Sequence, residues 1–336
     1  VPGVVVVILD RLDAAGGLVL FVVAAAALIP LAWLIGEATE QAAYYTGPGI
    51  GGLLNASFGN APELIIALVA VSDDLTNVVR ASLAGSVIGN LLLVLGFTLL
   101  VARPGAIDRT SAFISLGTVG AAVLLLITPA VVASGGNPDR HSLAVLSLPF
   151  AVALLALRLV VSRRSVRRLR RLQAAADPVE ISGWPLPTAV AVLAVTTLIT
   201  AFVTETLVGT IDAFSHAAHL SEFFVAAVIV AIVGNATEHG SAILLAARGQ
   251  LQLATEIALA SSAQVAGLLI PAVALLSWAI DPLALSFRWV EIGGIAVAAL
   301  AAGVAVAPGR SSRAAGALLV AAYAGVAITF YLVGDR

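Results

Sequence analysis

Cysteine is absent from this chain, and so are lysine and methionine. The first absence excludes disulfides, thiol catalysis and a cysteine-ligated zinc site. The second leaves arginine as the whole basic complement, 17 residues against 19 acidic ones, for a net charge of -2. Nothing in that balance suggests nucleic acid as a partner. The third, in a chain that begins at Val1, reads as an N-terminus trimmed from its natural start and a sequence stripped of methionines. Charge of either sign is scarce, only 11% of residues.

What fills the chain is apolar: 60% hydrophobic residues over 336 positions, with mean hydropathy +1.08. One soluble core cannot bury that much apolar surface. Apolar runs of about 20 residues match a hydrocarbon layer about 30 Å thick. The runs cover 1–9, 17–45, 50–71, 81–101, 112–132, 141–161, 187–211, 222–247, 254–278, 289–306 and 315–333. They are continuous rather than alternating, which argues against a β-barrel. The expected fold is all-α and polytopic, with about 11 transmembrane helices, the first truncated.

The break between the sixth and seventh runs carries Arg163, Arg164, Arg167, Arg168, Arg170 and Arg171. Arginine-rich short loops stay cytoplasmic. With this loop inside, the inner loops and span ends hold 12 arginines, including Arg103, Arg109, Arg158, Arg248, Arg310 and Arg313. The outer set holds five: Arg11, Arg80, Arg140, Arg288 and Arg336. The C-terminus is then external.

An internal repeat is the most informative pattern. Gly59-Asn60-Ala61-Pro62-Glu63 recurs 175 residues later as Gly234-Asn235-Ala236-Thr237-Glu238. Ser82-Leu83-Ala84-Gly85-Ser86 resembles Ala258-Leu259-Ala260-Ser261-Ser262 at an offset of 176. The motifs lie five spans apart, and an odd number inverts direction. The chain is therefore expected to divide into a first-helix remnant (1–16), a five-helix repeat (17–162), a basic cytoplasmic linker (163–186) and a second, inverted repeat (187–336). Secondary transporters built this way bind their substrate near the midplane, between the repeats.

Glu63 and Glu238 fall well inside apolar runs. A carboxylate there is costly and must face the protein interior, where it meets a cation or a proton. Pro62 has no N–H to give, which frees the carbonyl of Phe58. Asn60 and Asn235 add amide oxygens within a turn of the carboxylates. Ser82, Ser86 and Asn90 share one face of the next run, and Ser262 and Gln264 fall on the corresponding later one. All are hard oxygen donors, the kind calcium prefers.

Two longer strings carry a family resemblance. Gly36-Glu37-Ala38-Thr39-Glu40, followed by the stretch from Gly51-Gly52-Leu53-Leu54-Asn55 through Gly59-Asn60-Ala61-Pro62-Glu63-Leu64-Ile65, resembles the first signature of the cation/proton exchangers of the calcium/cation antiporter superfamily. Gly234-Asn235-Ala236-Thr237-Glu238-His239, with Ser261-Ser262-Ala263-Gln264, resembles the second. The resemblance spans nearly the whole chain. It implies eleven helices, two five-helix repeats, and Ca2+ and protons held alternately by Glu63 and Glu238. The linker is often acidic in that family and is basic here, which counts against a calcium-sensing linker.

The expected function is therefore a Ca2+/H+ antiporter of a prokaryotic plasma membrane, a multi-pass protein in the lipid bilayer. It is expected to be no enzyme and to need no cofactor, with Ca2+ as cargo and H+ as counter-ion. The metal residues are Glu63, Glu238, Asn60, Asn235 and Phe58. His239, Glu37, Glu40, Glu205, Ser86, Asn90, Ser262 and Gln264 are candidates for proton coupling or gating. His141, His216 and His219 read as solvated. Trp184, Trp278 and Trp289 read as interfacial anchors, and Asp73-Asp74 as a solvated turn. Homo-oligomerisation is compatible with these features and not determined by them. A Na+/Ca2+ exchanger is the nearest alternative, and a cation channel a more distant one. An intramembrane hydrolase using Glu238-His239 lacks the HExxH spacing of a zinc site.

Overall fold

A computed structural model describes residues 2–11, 16–135, 139–173 and 183–334. Those residues are helical apart from turns and loops, and the β-pairing among them is the single bridge Ala106–Arg310. We label the helices α1 (Pro2–Arg11), α2 (Gly17–Phe58), α3 (Ala61–Ser72), α4 (Thr76–Val101), α5 (Arg109–Ser134), α6 (Arg140–Gln173) and α7 (Leu186–Gly209). They continue as α8 (Ile211–Ala218), α9 (Glu222–Gly234), α10 (Ala236–Ala247), α11 (Leu251–Ala279), α12 (Trp289–Val306) and α13 (Arg313–Val333).

Among the described residues, eight helices are long and apolar enough to cross a membrane. There are nine if α8 and α9, which meet at a 110° bend, form one span. The protein is thus all-α and polytopic. The difference from eleven has a local cause. One expected run is the ten-residue α1. The run 50–71 is broken at Gly59-Asn60, which leaves the 12-residue α3, and the run 222–247 is broken at Asn235. The chain breaks its helices where the signature motifs lie.

The apolar spans end where expected, at Thr46 and Ser162, and helical backbone runs on beyond both. After the first it continues to Phe58. The basic linker begins as helix, because α6 runs on to Gln173; residues 174–182 lie outside the described set.

The centre of the molecule is made by α4 and α11. Their apolar windows are 78% and 67% buried, against 44% or less for the other spans. Close packing there depends on small residues. Gly85 of α4 is one case: a Cβ at that position would run into the backbone carbonyl of Ala227 on α9. Each of α4, α9 and α11 also carries a π-helical turn, at Gly89–Val94, Val225–Val230 and Val265–Leu269. Such wide turns are rare and occur often at functional sites. Outside this core, α2 packs along α7, and Gly3 of α1 seats against Leu31, Ile199 and Val203 of that pair.

Candidate cation site between two broken helices

The two motifs build matching helix starts. Asn60 caps α3 at φ -111°, ψ 23°, and Asn235 caps α10 at φ -95°, ψ 9°. Both helices are 12 residues long, and both carry their glutamate in the first turn. Pro62 is tolerated there because a first-turn N–H has no helical partner to lose. A helix N-terminus presents unsatisfied N–H groups and the positive end of its dipole, so it suits an anion. Neither asparagine caps its helix with its own side chain, which leaves both amides free for the interior.

Glu63 and Glu238 line one cavity of about 280 Å³. The motifs cross closely there: a Cβ on Gly234 would lie 3.1 Å from Cγ of Glu63. Glu63 is only 7% exposed, and its Oε2 has no protein hydrogen-bond partner. Glu238 accepts a hydrogen bond from the Ser261 hydroxyl. Thr237, Ser241, Ser261 and Gln264 bring further oxygens to the wall. Glu40 lines the cavity with Ala32 and Gly36, its neighbours at four-residue spacing on α2.

Behind the carboxylates is an amide network. Asn235 Nδ2 donates to Ser86 Oγ at 2.9 Å and to the Ala231 carbonyl at 2.9 Å. Its Oδ1 accepts from Asn90 Nδ2 at 3.2 Å, and the same Asn90 amide reaches Ser261 Oγ at 3.3 Å. Asn60 Nδ2 donates to Gln264 Oε1 at 3.4 Å. The Oδ1 atoms of Asn60 and Asn90 are buried without a partner. Each signature asparagine is thus tied to an amide on a helix from the other half of the chain.

The expected residues divide accordingly. Glu63, Glu238, Gln264 and Glu40 reach the cavity wall, and Asn60, Asn235, Ser86 and Asn90 stand in the hydrogen-bonded layer beside it. Ser262 does not join them. Its hydroxyl donates back to the Ala258 carbonyl at 2.9 Å, and its neighbour Ser261 faces the carboxylate instead. Glu205 is exposed on α7 and does not line the cavity. Glu37 is outside the lining too and accepts from Gln41 at 2.8 Å. His239 is buried, with Nε2 unpartnered, but is not part of the wall. Phe58 packs its ring against the cluster of Ile35, Ala38, Ala61 and Leu193 and does not line the cavity. Asp74 is more than a solvated residue, because it pairs with Arg140, which also holds Asp281 at 2.6 Å.

Three polar wall residues were not among the expected site residues: Thr237, Ser241 and Ser261. The signal for two of them was present. Ser241 follows Glu238 by three residues and Ser261 precedes Gln264 by three, and that spacing shares a helix face. The wall also explains the two repeat offsets. From α3 to α10 and from the start of α4 to the start of α11 the offset is 175 (Ala61 to Ala236, Thr76 to Leu251). Between the π turns, from Gly89 to Val265, it is 176. The extra residue lies in α11 ahead of its π turn. Counted from the helix starts Ser86 matches Ser261, and counted from the π turns it matches Ser262; of these three serines Ser261 is the one that lines the cavity.

Among the described residues no three His, Asp or Glu side chains gather as a metal-binding group. The site is the Glu63–Glu238 pair, with Glu40 on the same wall, within a shell of neutral oxygens, and one carboxylate oxygen of Glu63 is left open. Such a shell suits a hard cation that keeps some water or backbone ligands, or two protons, and offers no soft ligand.

Comparison with known proteins agrees with this architecture. The family model described as sodium/calcium exchanger protein matches residues 16–175 and 188–332. A Ca(2+)/H(+) antiporter from Aphanothece halophytica is 31% identical over 335 residues, covering 93% of this chain and 90% of that protein. The Ca(2+)/H(+) antiporter ChaA of Bacillus subtilis is 36% identical over 326 residues, covering 94% and 92%. The solved structure of native YfkE superposes with a TM-score of 0.83 at 32% identity, covering 98% of this chain and 97% of that one. With its family model matched over most of its length, the chain belongs to the sodium/calcium exchanger protein family.

Proposed function

We propose that this protein is a Ca2+/H+ antiporter in which Ca2+ and protons compete for Glu63 and Glu238. The observation that carries the reading is the convergence of both signature carboxylates on one cavity, at the starts of two broken helices. The names of the relatives, both Ca(2+)/H(+) antiporters, support the choice of ions.

The competition follows from charge. With Glu63 and Glu238 ionised, this pair carries two negative charges, which one Ca2+ neutralises, and Glu40 adds a third carboxyl to the lining. Ca2+ wants six to eight oxygens. The carboxylates, Gln264 Oε1 and the hydroxyls of Thr237, Ser241 and Ser261 supply part of that shell, and water completes it. Protons on the carboxylates remove the charge that holds the metal, so loading with one expels the other. No covalent bond is made or broken.

Coupling also requires access from one side at a time. The lining of the cavity runs from the carboxylates to Ser241 and Ile257, toward the face at the end of α10 and the start of α11. That face carries Arg248, and the arginine bias marks it as cytoplasmic. We read the cavity as the inward-facing half of an alternating-access cycle between inverted repeats, with Glu40 at its mouth.

The test is 45Ca2+ uptake into inverted vesicles under an imposed, then collapsed, pH gradient. Uptake should follow the gradient and stop when it collapses. Uptake driven instead by a sodium gradient at fixed pH would overturn the proton assignment, and flux indifferent to both gradients would point to a channel. Labels at Gln173 and Arg310 should react from the cytoplasm; labelling of both only from outside would reverse the direction of transport.

A further inference from the structure

Four arginines that the cation site does not use converge at one edge of the same face. The loop after α4 and the loop after α12 are zipped together by backbone. Ile107 N donates to the Gly309 carbonyl at 2.9 Å, and Ser311 N to the Gly105 carbonyl at 3.0 Å, on either side of the Ala106–Arg310 bridge. Gly105 N also donates to Ser311 Oγ at 3.0 Å. Arg103 and Arg109 flank Ala106 by three residues each, and Arg313 follows Arg310 by three. Three residues of chain reach at most about 10 Å. Residues so distant in sequence are therefore held around one bridge.

Arg103, Arg109, Arg310 and Arg313 are all exposed, and none forms a salt bridge among the described residues. Asp108, the acid on these loops, is engaged in accepting from the N–H groups of Thr110 and Ser111 at the start of α5. Gly309 takes φ +70°, and a Cβ there would meet Arg109 Cδ at 2.9 Å, so the turn is shaped around that side chain. Four span ends meet here, those of α4, α5, α12 and α13, which sets the cluster at the headgroup level of the bilayer. Just within those ends, Phe97, Val101, Phe113, Val304 and Leu318 are exposed apolar residues.

We propose that this two-loop bridge is a binding site for the headgroup of an anionic phospholipid, with acyl chains lying against the exposed apolar residues of the adjoining helices. Arginine forks suit phosphate oxygens, and basic residues beside a membrane span attract anionic lipid. General positive-inside bias would scatter these charges over the face. The backbone bridge instead gathers them from two distant loops. Through Leu251, whose Cδ2 would lie 3.0 Å from a Cβ placed on Gly105, the site adjoins the turn between α10 and α11, the helices that carry Glu238 and Ser261.

The test is native mass spectrometry of the full-length protein in detergent with phosphatidylglycerol, cardiolipin and phosphatidylcholine. We expect one retained anionic lipid in preference to phosphatidylcholine. At about fivefold per arginine, R103Q/R310Q/R313Q should reduce its retention by roughly a hundredfold, while the corresponding triple lysine variant keeps most of it. If the triple glutamine variant fails to fold, R103Q and R313Q, each at an exposed position, replace it, and each should weaken retention several-fold. Unchanged retention in these variants would overturn the site. So would a loss reproduced in full by neutralising Arg163, Arg164, Arg167 and Arg168, or equal retention of phosphatidylcholine.

Discussion

The two signature motifs place their glutamates alike but partner them differently. Glu238 is held by the Ser261 hydroxyl, whereas Glu63 keeps an oxygen without a partner. Ser86, which matches Ser261 at the offset of 175, does not line the cavity and accepts from Asn235 across the halves. The two halves have diverged at their hydroxyls and amides while keeping the carboxylates and the broken helices. Glu63 thus keeps an unpartnered oxygen where Glu238 is hydrogen-bonded, so the two carboxylates of the proposed site differ in restraint.

The comparison breaks completely if either charge is removed. Glu63→Gln and Glu238→Gln keep side-chain size but leave one charge for a divalent cation. Each should lower exchange in reconstituted vesicles by at least about a hundredfold. Near-normal coupled transport by either properly folded variant would sink the shared site.

Protonation attacks both carboxylates together. A carboxylate must lose its proton to bind metal, so apparent Ca2+ affinity should fall as pH falls, approaching about tenfold per pH unit for each proton that must leave. Equilibrium Ca2+ binding from about pH 5.5 to 8.5 measures the slope. It should persist in His239→Asn, since that imidazole lies outside the wall. Affinity that stays flat across the range would defeat the competition.

The serines test the asymmetry itself. Ser261→Ala removes a hydrogen bond to a carboxylate, a loss of about 1.5–3 kcal/mol, so Ca2+ affinity should change by roughly tenfold or more. Ser86→Ala removes a neutral contact to Asn235, about 1 kcal/mol, and should change it only a few-fold. Equal effects would mean that the two halves act alike. The smallest effect belongs to Ser262→Ala, whose hydroxyl serves only its own helix. It should leave transport unchanged and Tm within what about 0.5 kcal/mol allows. A large loss there would restore Ser262 to the site in place of Ser261.

The sequence determined the class and the pair of carboxylates. Both are one-dimensional signals: long apolar runs report the membrane, and a costly charge within a repeated string marks a candidate site, whose two carboxylates line one cavity. It left the helix breaks unresolved, because Gly59-Asn60 and Asn235 sit inside runs whose hydropathy continues across them. The choice between Ser261 and Ser262 was also beyond it. Adjacent residues on a helix differ by about 100° in facing, and only the packing of α11 against α10 shows which of them meets Glu238. Glu37, Glu40 and Glu205 looked equivalent as carboxylates near apolar runs, yet only Glu40 shares the face of Ala32 and Gly36 that borders the cavity. The pairing of Asn60 with Gln264 and of Asn90 with Asn235 joins residues 204 and 145 positions apart, and so does the loop bridge at Ala106 and Arg310. Contacts at such separations leave no periodic trace in a single sequence. Only the packing of one half of the chain against the other sets them.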